Sequence, residues 1–381
     1  MADIRIGQRV AEARSQLGLT QAETAEKLGV ARSTLAEMET GARKITADEL
    51  YRLTEVLSRP LQYFFSVQEP ASIFSFRLKN EEIGEPARRA LIGLDNRLAE
   101  LAALERFSGI AVRPQLKHYS IEGWKNPDVA GRNIAMMERA RLQLGPSPLP
   151  NVREVLEQRV GLLAFGDYVP AGDFSGAFAS DGERSAILIN VAHIKGRVNF
   201  TLPHEYGHAV VMKNGVHIEL RGYVDAHEER FADAFAANFL MPLDALEDAL
   251  ERASISPPEI TSDQVLFLAS QFGVSFEAML NRLTHFNVIE RKHAGELKKT
   301  AKPLARSREL GLPDPRDEFD SLPQTYRRMA CMAFHKGSIS RGRLAEFLGT
   351  DQDRAYDTYA AWAASVDVAS AGDKVKRGAA A

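Results

Sequence analysis

Five residues, His204-Glu205-Tyr206-Gly207-His208, constrain this chain more than any other stretch. On a helix, residues four apart project from one face, so the two imidazoles stand side by side. At that spacing they can bind one divalent ion, and the glutamate between them can reach a water at the ion as general base. The pattern reads as helical from Phe200 onward. Thr201 is the expected N-cap, which puts Pro203 in the first turn, where proline is tolerated.

A catalytic zinc takes three protein ligands and keeps one open position. One arrangement would place a third histidine at 214, but Asn214 stands there. The remaining candidates are Glu219, Asp225, His227, Glu228 and Glu229. Glu229 has the best context. It lies on a second helix, from about Ala226 to Leu240, whose buried face is Phe231, Phe235 and Leu240. His227 is a rival third ligand or a hydrogen-bond donor, Tyr223 a candidate oxyanion stabiliser, and Glu228 a solvated neighbour. Asp233, one turn beyond Glu229, can accept from the free ring nitrogen of a ligating histidine. Zinc is the default for two histidines and a glutamate, with Mn²⁺ as the alternative.

Phe200-Thr201-Leu202-Pro203-His204-Glu205-Tyr206-Gly207-His208, then Glu229-x-x-Ala232-Asp233-x-Phe235-Ala236 and Phe239-Leu240-Met241-Pro242, resembles the ImmA/IrrE family of zinc-dependent peptidases. The looser match spans roughly 120–245. The resemblance implies a zincin-like α+β domain in which His204, His208 and Glu229 hold the metal and Glu205 is the catalytic base. Pro203 stands where the family usually has a small residue, and Tyr206 where Leu is commoner. The implied activity is narrow proteolysis of a regulatory protein such as a repressor. The alternatives are a catalytically silent ligand or stress sensor on the same fold, or an antitoxin-like binding protein.

The N-terminal region reads as short helices with Ser/Thr starts and Gly stops. Ile6, Val10, Ala13 and Leu17 mark the first helix, ended by Gly18. Thr20 caps Gln21 to Leu28, Gly29 ends it, Ser33 to Met38 form a third helix, and Thr46 caps the next. Leu19-Thr20-Gln21, Ala25-Leu28-Gly29-Val30, Arg32-Ser33-Thr34-Leu35 and Glu39-Thr40-Gly41 resemble the lambda-repressor-like (XRE) helix-turn-helix family over about 60 residues. Arg32, Ser33 and Thr34 open the helix expected to enter a major groove of double-stranded DNA. Gln21, Arg43 and Lys44 are placed for phosphates. Glu37 departs from the basic or neutral residue usual at its position.

Charge is uneven along the 381 residues. The net formal charge is −3, with residues 1–67 at 0, 68–290 at −8 and 291–381 at +5. A neutral module binds DNA weakly alone, so a homodimer on a palindromic operator is the expected form. An apolar share of 45% excludes a disordered chain, and the single Cys331 excludes a disulfide framework. No apolar run spans a membrane, and the polar N-terminus is unlike a signal peptide, so a cytoplasmic setting is expected.

The expected fold is α+β and mainly helical: a helix-turn-helix bundle at 1–68, the peptidase-like domain at 69–297 with a connecting helix at 84–107, and a basic linker with a helical domain at 298–381. Pro60 and Pro70 bracket the first boundary, and a strand is expected at 71–77. Leu91, Leu94, Leu98 and Leu101 form an apolar seam that serves either the chain's own core or a dimer. Helices are expected over 127–159, divided by a turn at Gly145 to Pro150. Strands are expected at Leu162 to Phe165, Phe174 to Ala179 and Ala186 to Val191, with a loop from Asn214 to Asp225. Lys298 to Pro315 reads as linker, 322–363 as helical, and Gly372 to Ala381 as a frayed tail. Ile339 to Gly349 resembles the start of a second helix-turn-helix. Arg327, Arg328, Arg341 and Arg343 would then be nucleic-acid contacts, with a packing bundle as the competing reading.

Overall fold

A computed structural model describes residues 2–65, 84–121, 123–149, 151–170, 174–212, 215–220, 226–256, 259–313 and 319–378. Of these, the side chains of 2–4, 215–220 and 367–378 are not described. The strand expected at 71–77, the Pro70 boundary, Asn214, Tyr223 and Asp225 lie outside the described residues, as does the side chain of Glu219. Two compact units form, residues 1–96 with 114–321, and 97–113 with 322–381.

Capping chemistry sets the N-terminal helices α1 (Ala2–Gln16), α2 (Gln21–Leu28), α3 (Arg32–Thr40), α4 (Ala47–Val56) and α5 (Leu61–Phe65). Thr20 with Glu23, and Thr46 with Glu49, close reciprocal capping boxes on α2 and α4. Gly29 ends α2 at φ 72°, a left-handed conformation costly for residues with a Cβ. Val10, Ala13, Leu28, Leu35, Met38 and Leu53 form the bundle's core. By contrast, α3 begins after Ala31, whose side chain makes no capping hydrogen bond.

Helix α6 (Glu85–Ser108) belongs to both units. In the first unit, Arg59 binds Asp95 and Asn96, each at 3.0 Å. The leucine seam is spent inside the chain: Leu91, Leu94, Leu98 and Leu101 are all 3% exposed or less. Of its two possible uses, the structure shows the intrachain core.

The central region contains α7 (Pro127–Arg141), α8 (Val152–Val155) with a π-turn at Leu156–Val160, and strands β1 (Leu163–Asp167), β2 (Phe174–Ser180) and β3 (Ser185–Asn190). Then come α9 (Lys195–Val211), β4 (Gly215–Leu220), α10 (Ala226–Leu240), α11 (Leu243–Arg252), α12 (Ser262–Phe272), α13 (Phe276–His285), α14 (Arg291–Thr300) and α15 (Pro303–Glu309). The four-stranded sheet has the order β1-β3-β2-β4, parallel between β1 and β3 and antiparallel elsewhere. The β2–β3 hairpin closes through Asp181, whose Oδ1 accepts from the Glu183 and Arg184 amides.

Three expectations are corrected here. The loop expected from Asn214 to Asp225 contains β4. Helix α9 begins at Lys195 after Ile194, so Thr201 is not its N-cap. Thr201 lies mid-helix with its hydroxyl on the Arg197 carbonyl at 3.1 Å, and Pro203 sits in the helix interior. The linker expected at Lys298 to Pro315 contains the end of α14 and all of α15. Lys298 and Lys299 occupy a helix's last turn, where cations are favoured, and Arg306 forks onto Asp263 of α12 at 2.6 and 2.9 Å. Residues 314–318 lie outside the described residues.

The second unit packs the latter half of α6 with α16 (Gln324–His335), α17 (Arg341–Leu348) and α18 (Gln352–Gly378). The helix reaches Gly378 where a frayed tail was expected from Gly372. Tyr326 donates to Glu100 at 2.7 Å, and Lys336 to the Ser108 carbonyl at 2.7 Å. This unit repeats the N-terminal grammar. Ser340 caps an eight-residue α17, Gly349 ends it at φ 64°, and α18 starts three residues later. Among the described residues, no helix is long and apolar enough to cross a membrane.

Candidate metal centre

Antiparallel helices α9 and α10 carry the site. His204 Nε2 stands 3.2 Å from His208 Nε2 and 3.5 Å from Glu229 Oε2, and His208 Nε2 stands 3.3 Å from Glu229 Oε1. Three ligand atoms around a tetrahedral ion, each ~2.0–2.1 Å from it, would stand ~3.3–3.4 Å apart. The observed triangle fits that size without rearrangement. His204 Nδ1 lies 3.0 Å from Asp233 Oδ1. A carboxylate there accepts from the Nδ1–H and leaves the Nε2 lone pair facing the other two groups.

The arrangement follows from helix period. His204 and His208 are one turn apart on α9, and Glu229 and Asp233 are one turn apart on α10. Both histidines and Glu205 are buried, while the Glu229 side chain is 27% exposed and that of Asp233 64%. The triad is therefore open on its α10 side. Among the described residues, these three are the group able to share one ion. His227 and Glu228 are exposed at the start of α10 and do not join the group.

Glu205 faces the sheet. A Cβ at Gly176 of β2 would come within 3.2 Å of Glu205 Oε1, 3.0 Å of the Leu188 carbonyl and 2.8 Å of Thr201 Cγ2. Only glycine lets the strand lie this close to the motif helix. The sequence reading did not single out Gly176. Its sole signal was a glycine inside an apolar strand, which marks close backbone approach.

Behind the triad, Tyr206 anchors α9. Its ring packs edge-on against Phe235 and Phe239, and its hydroxyl donates to Glu138 of α7. Tyr119 donates to the same carboxylate at 2.6 Å, and Arg141 binds both of its oxygens. Burial pushes the Glu138 carboxyl upward, but the bonds from Arg141, Tyr119 and Tyr206 hold it below its ordinary value. Burial and then Glu138 drive the Tyr206 hydroxyl well above the usual tyrosine range. This network was also missed, though Tyr206 within a buried motif signals that its hydroxyl needs a partner.

Residues 168–284 match the family described as IrrE N-terminal-like domain, and residues 10–64 match the family described as Helix-turn-helix. The chain joins a helix-turn-helix domain to an IrrE N-terminal-like domain. An uncharacterized transcriptional regulator in the ATPase CF(0) region of Rhodospirillum rubrum is 38% identical over 64 residues, 17% of this chain and 59% of that protein. An uncharacterized HTH-type transcriptional regulator of Sinorhizobium medicae is 30% identical over 63 residues, 16% of this chain and 45% of that protein. The chain thus spans about half the length of these curated relatives. The crystal structure of ComR from Streptococcus suis aligns over 94% of this chain and 88% of its own, at 12% identity and a TM-score of 0.16, too low to relate the folds.

On the helix-turn-helix domain, Arg32 and Ser33 are exposed at the start of α3 and Thr34 is half-buried. Gln21 is engaged internally: its amide donates to Glu39 at 2.9 Å and its carbonyl accepts from Arg32 at 3.4 Å. Arg14 forks onto the same Glu39 at 2.6 and 3.2 Å. Arg43 forks onto Glu49 at 2.9 and 3.2 Å, whereas Lys44 is exposed. In the second unit, Arg341 pairs with Asp353 and Arg343 with Glu346.

Proposed function

We propose that this protein is a DNA-binding transcriptional regulator whose IrrE N-terminal-like domain is a zinc-dependent peptidase acting on a regulatory protein. The observation that carries the peptidase half is the triangle of His204, His208 and Glu229, sized for one tetrahedral ion. These three residues would hold the metal. A bound zinc supplies Lewis acidity toward a carbonyl and lowers the pKa of water. Glu205, buried beside the triad, takes the proton from the attacking water on a carboxylate oxygen and passes it to the leaving amine. Asp233 keeps the His204 proton on Nδ1. Glu138 and Arg141, through Tyr206, hold the helix in register.

The uncapped start of α3 and the small, polar Arg32-Ser33-Thr34 face support DNA binding, as do the relatives named as transcriptional regulators. Arg32, Ser33 and Thr34 would meet base edges, and Gln21, Arg43 and Lys44 phosphates. Gln21 and Arg43 would first exchange their glutamate partners. Two copies on a palindromic operator would compensate for the neutral charge of the module. The physical gain from fusing the domains is local concentration, since DNA binding brings the peptidase beside a repressor on the same promoter.

The test compares cells expressing wild type or Glu205→Gln by proteome-wide mapping of new protein N-termini, with operator occupancy followed by footprinting. The expected result is one regulatory protein cut only by wild type, with both forms on the same operator. Identical N-termini in both strains, with metal present in each protein, would remove the peptidase half and leave a DNA-binding sensor.

A further inference from the structure

A long groove begins at Asp233, the residue on His204 of the metal triad. On α9 the ligand stripe His208, His204 continues at four-residue steps to Phe200 and Gly196. On α10 the stripe Glu229, Asp233 continues to Ala237 and, just past the helix end, to Met241. All four continuing residues, with Asp233 itself, line a cavity of about 1520 Å³ walled on its far side by α12, α13 and α15. Small-molecule sites run to roughly 300–1,000 Å³, so this one is oversized for a metabolite and suits a stretch of polypeptide.

Its lining has a definite chemistry. The floor is apolar, with Phe200, Met241, Leu266 and Phe276. Apolar side chains also stand exposed at its margin: Val129 at 37%, Ile194 at 40% and Leu304 at 47%. Arg132, Lys195 and Arg197 are exposed around it. Of the lining acids, Asp128 is paired with Arg230, and Glu277 with Lys298. Asp233 holds His204. The cationic margin runs against the −8 carried by residues 68–290, so it is a local feature. The complementary occupant is a segment combining apolar and acidic side chains.

We infer that this groove is the recognition site for the protein substrate, holding an apolar and acidic segment of it beside the bond to be cut. The inference rests on the peptidase reading, and it names the substrate's chemistry.

The test uses the full-length, metal-loaded Glu205→Gln chain as bait for a displayed library of random 12-residue peptides, so that binding is read without turnover. The expected peptides are rich in Leu, Ile, Phe, Asp and Glu and poor in Lys and Arg. Synthetic copies should bind about tenfold or more weakly to Arg132→Glu/Lys195→Glu, whose own selected peptides should shift toward Lys and Arg. Ala237→Trp, which fills the groove, should abolish binding. Unchanged metal content and melting in these variants exclude misfolding. No enrichment over bare matrix, peptides without charge bias, or equal binding to the variants would each overturn the inference. So would native mass spectrometry that finds a small molecule retained by wild type and lost in Ala237→Trp. Failure of the peptidase reading itself would show separately, as absent metal or as no cleavage by wild type of a bound peptide.

Discussion

The metal centre and the surface of α3 were both legible as motifs, yet the structure treats them differently. At the candidate metal centre His204, His208 and Glu229 already stand within reach of one ion. Helix period aligns the histidines, Asp233 holds the His204 ring from the open α10 side, and the Glu138 network anchors α9 from behind. On the helix-turn-helix domain the backbone is equally well defined, but Gln21 and Arg43 are tied to Glu39 and Glu49. A buried site of this kind is built by its own chain. A recognition surface is completed by its partner. The one should be insensitive to salt and sensitive to buried substitutions, and the other the reverse.

The largest effect expected is on the support of the centre. Glu138→Gln leaves Arg141 and two tyrosines around a neutral group, and should cost about 3–5 kcal/mol in urea denaturation at pH 7. The sign with pH follows from the lowered carboxyl of Glu138. Its contribution is complete above the unfolded value near 4.5 and is lost as pH falls through the lower folded value. The gap between wild type and variant should therefore close below that pH. A gap independent of pH would mean that Glu138 acts by packing alone.

Next, Asp233→Ala should weaken zinc affinity about 10–100-fold in a chelator competition, with the fold unchanged by circular dichroism. Undiminished affinity would show that the His204 ring is held without it. On the other side of the comparison, Arg32→Ala should cost about 1–3 kcal/mol in operator binding and relax the sequence preference at one base pair. Equal loss on all sequences would make Arg32 a phosphate contact. The smallest effect is expected from Lys44→Ala, which should lower the salt slope of binding by about one without altering preference.

How much could be read in advance follows the same division. Thr20, Gly29 and Thr46 placed helix ends because caps and left-handed glycines are local chemistry. Helix period put Glu229 and Asp233 one turn apart on one face, while the choice of Glu229 over its neighbours as a ligand rested on the family resemblance. The errors lie where local signals compete with packing. Thr201 looks like a cap, but α9 starts six residues earlier at Lys195, after an Ile194 that offers no cap. Val216, Ile218 and Leu220 alternate as a strand does, yet Gly215 and the Arg221-Gly222 that follows read as loop. Glu138 lies 68 residues from Tyr206 in sequence, and nothing local pairs them. The second unit copies the caps of the first at Ser340 and Gly349. There Arg341 and Arg343 are matched by Asp353 and Glu346, as Arg43 is by Glu49 in the first unit.

The central claim is that His204, His208 and Glu229 form one metal site. Elemental mass spectrometry of protein purified without a metal-affinity column tests it most directly, with wild type beside His204→Ala and Glu229→Ala. About one zinc or manganese per wild-type chain, lost or weakened in both variants, is the predicted result. No metal in wild type, and no uptake when Zn²⁺ or Mn²⁺ is supplied, would contradict it.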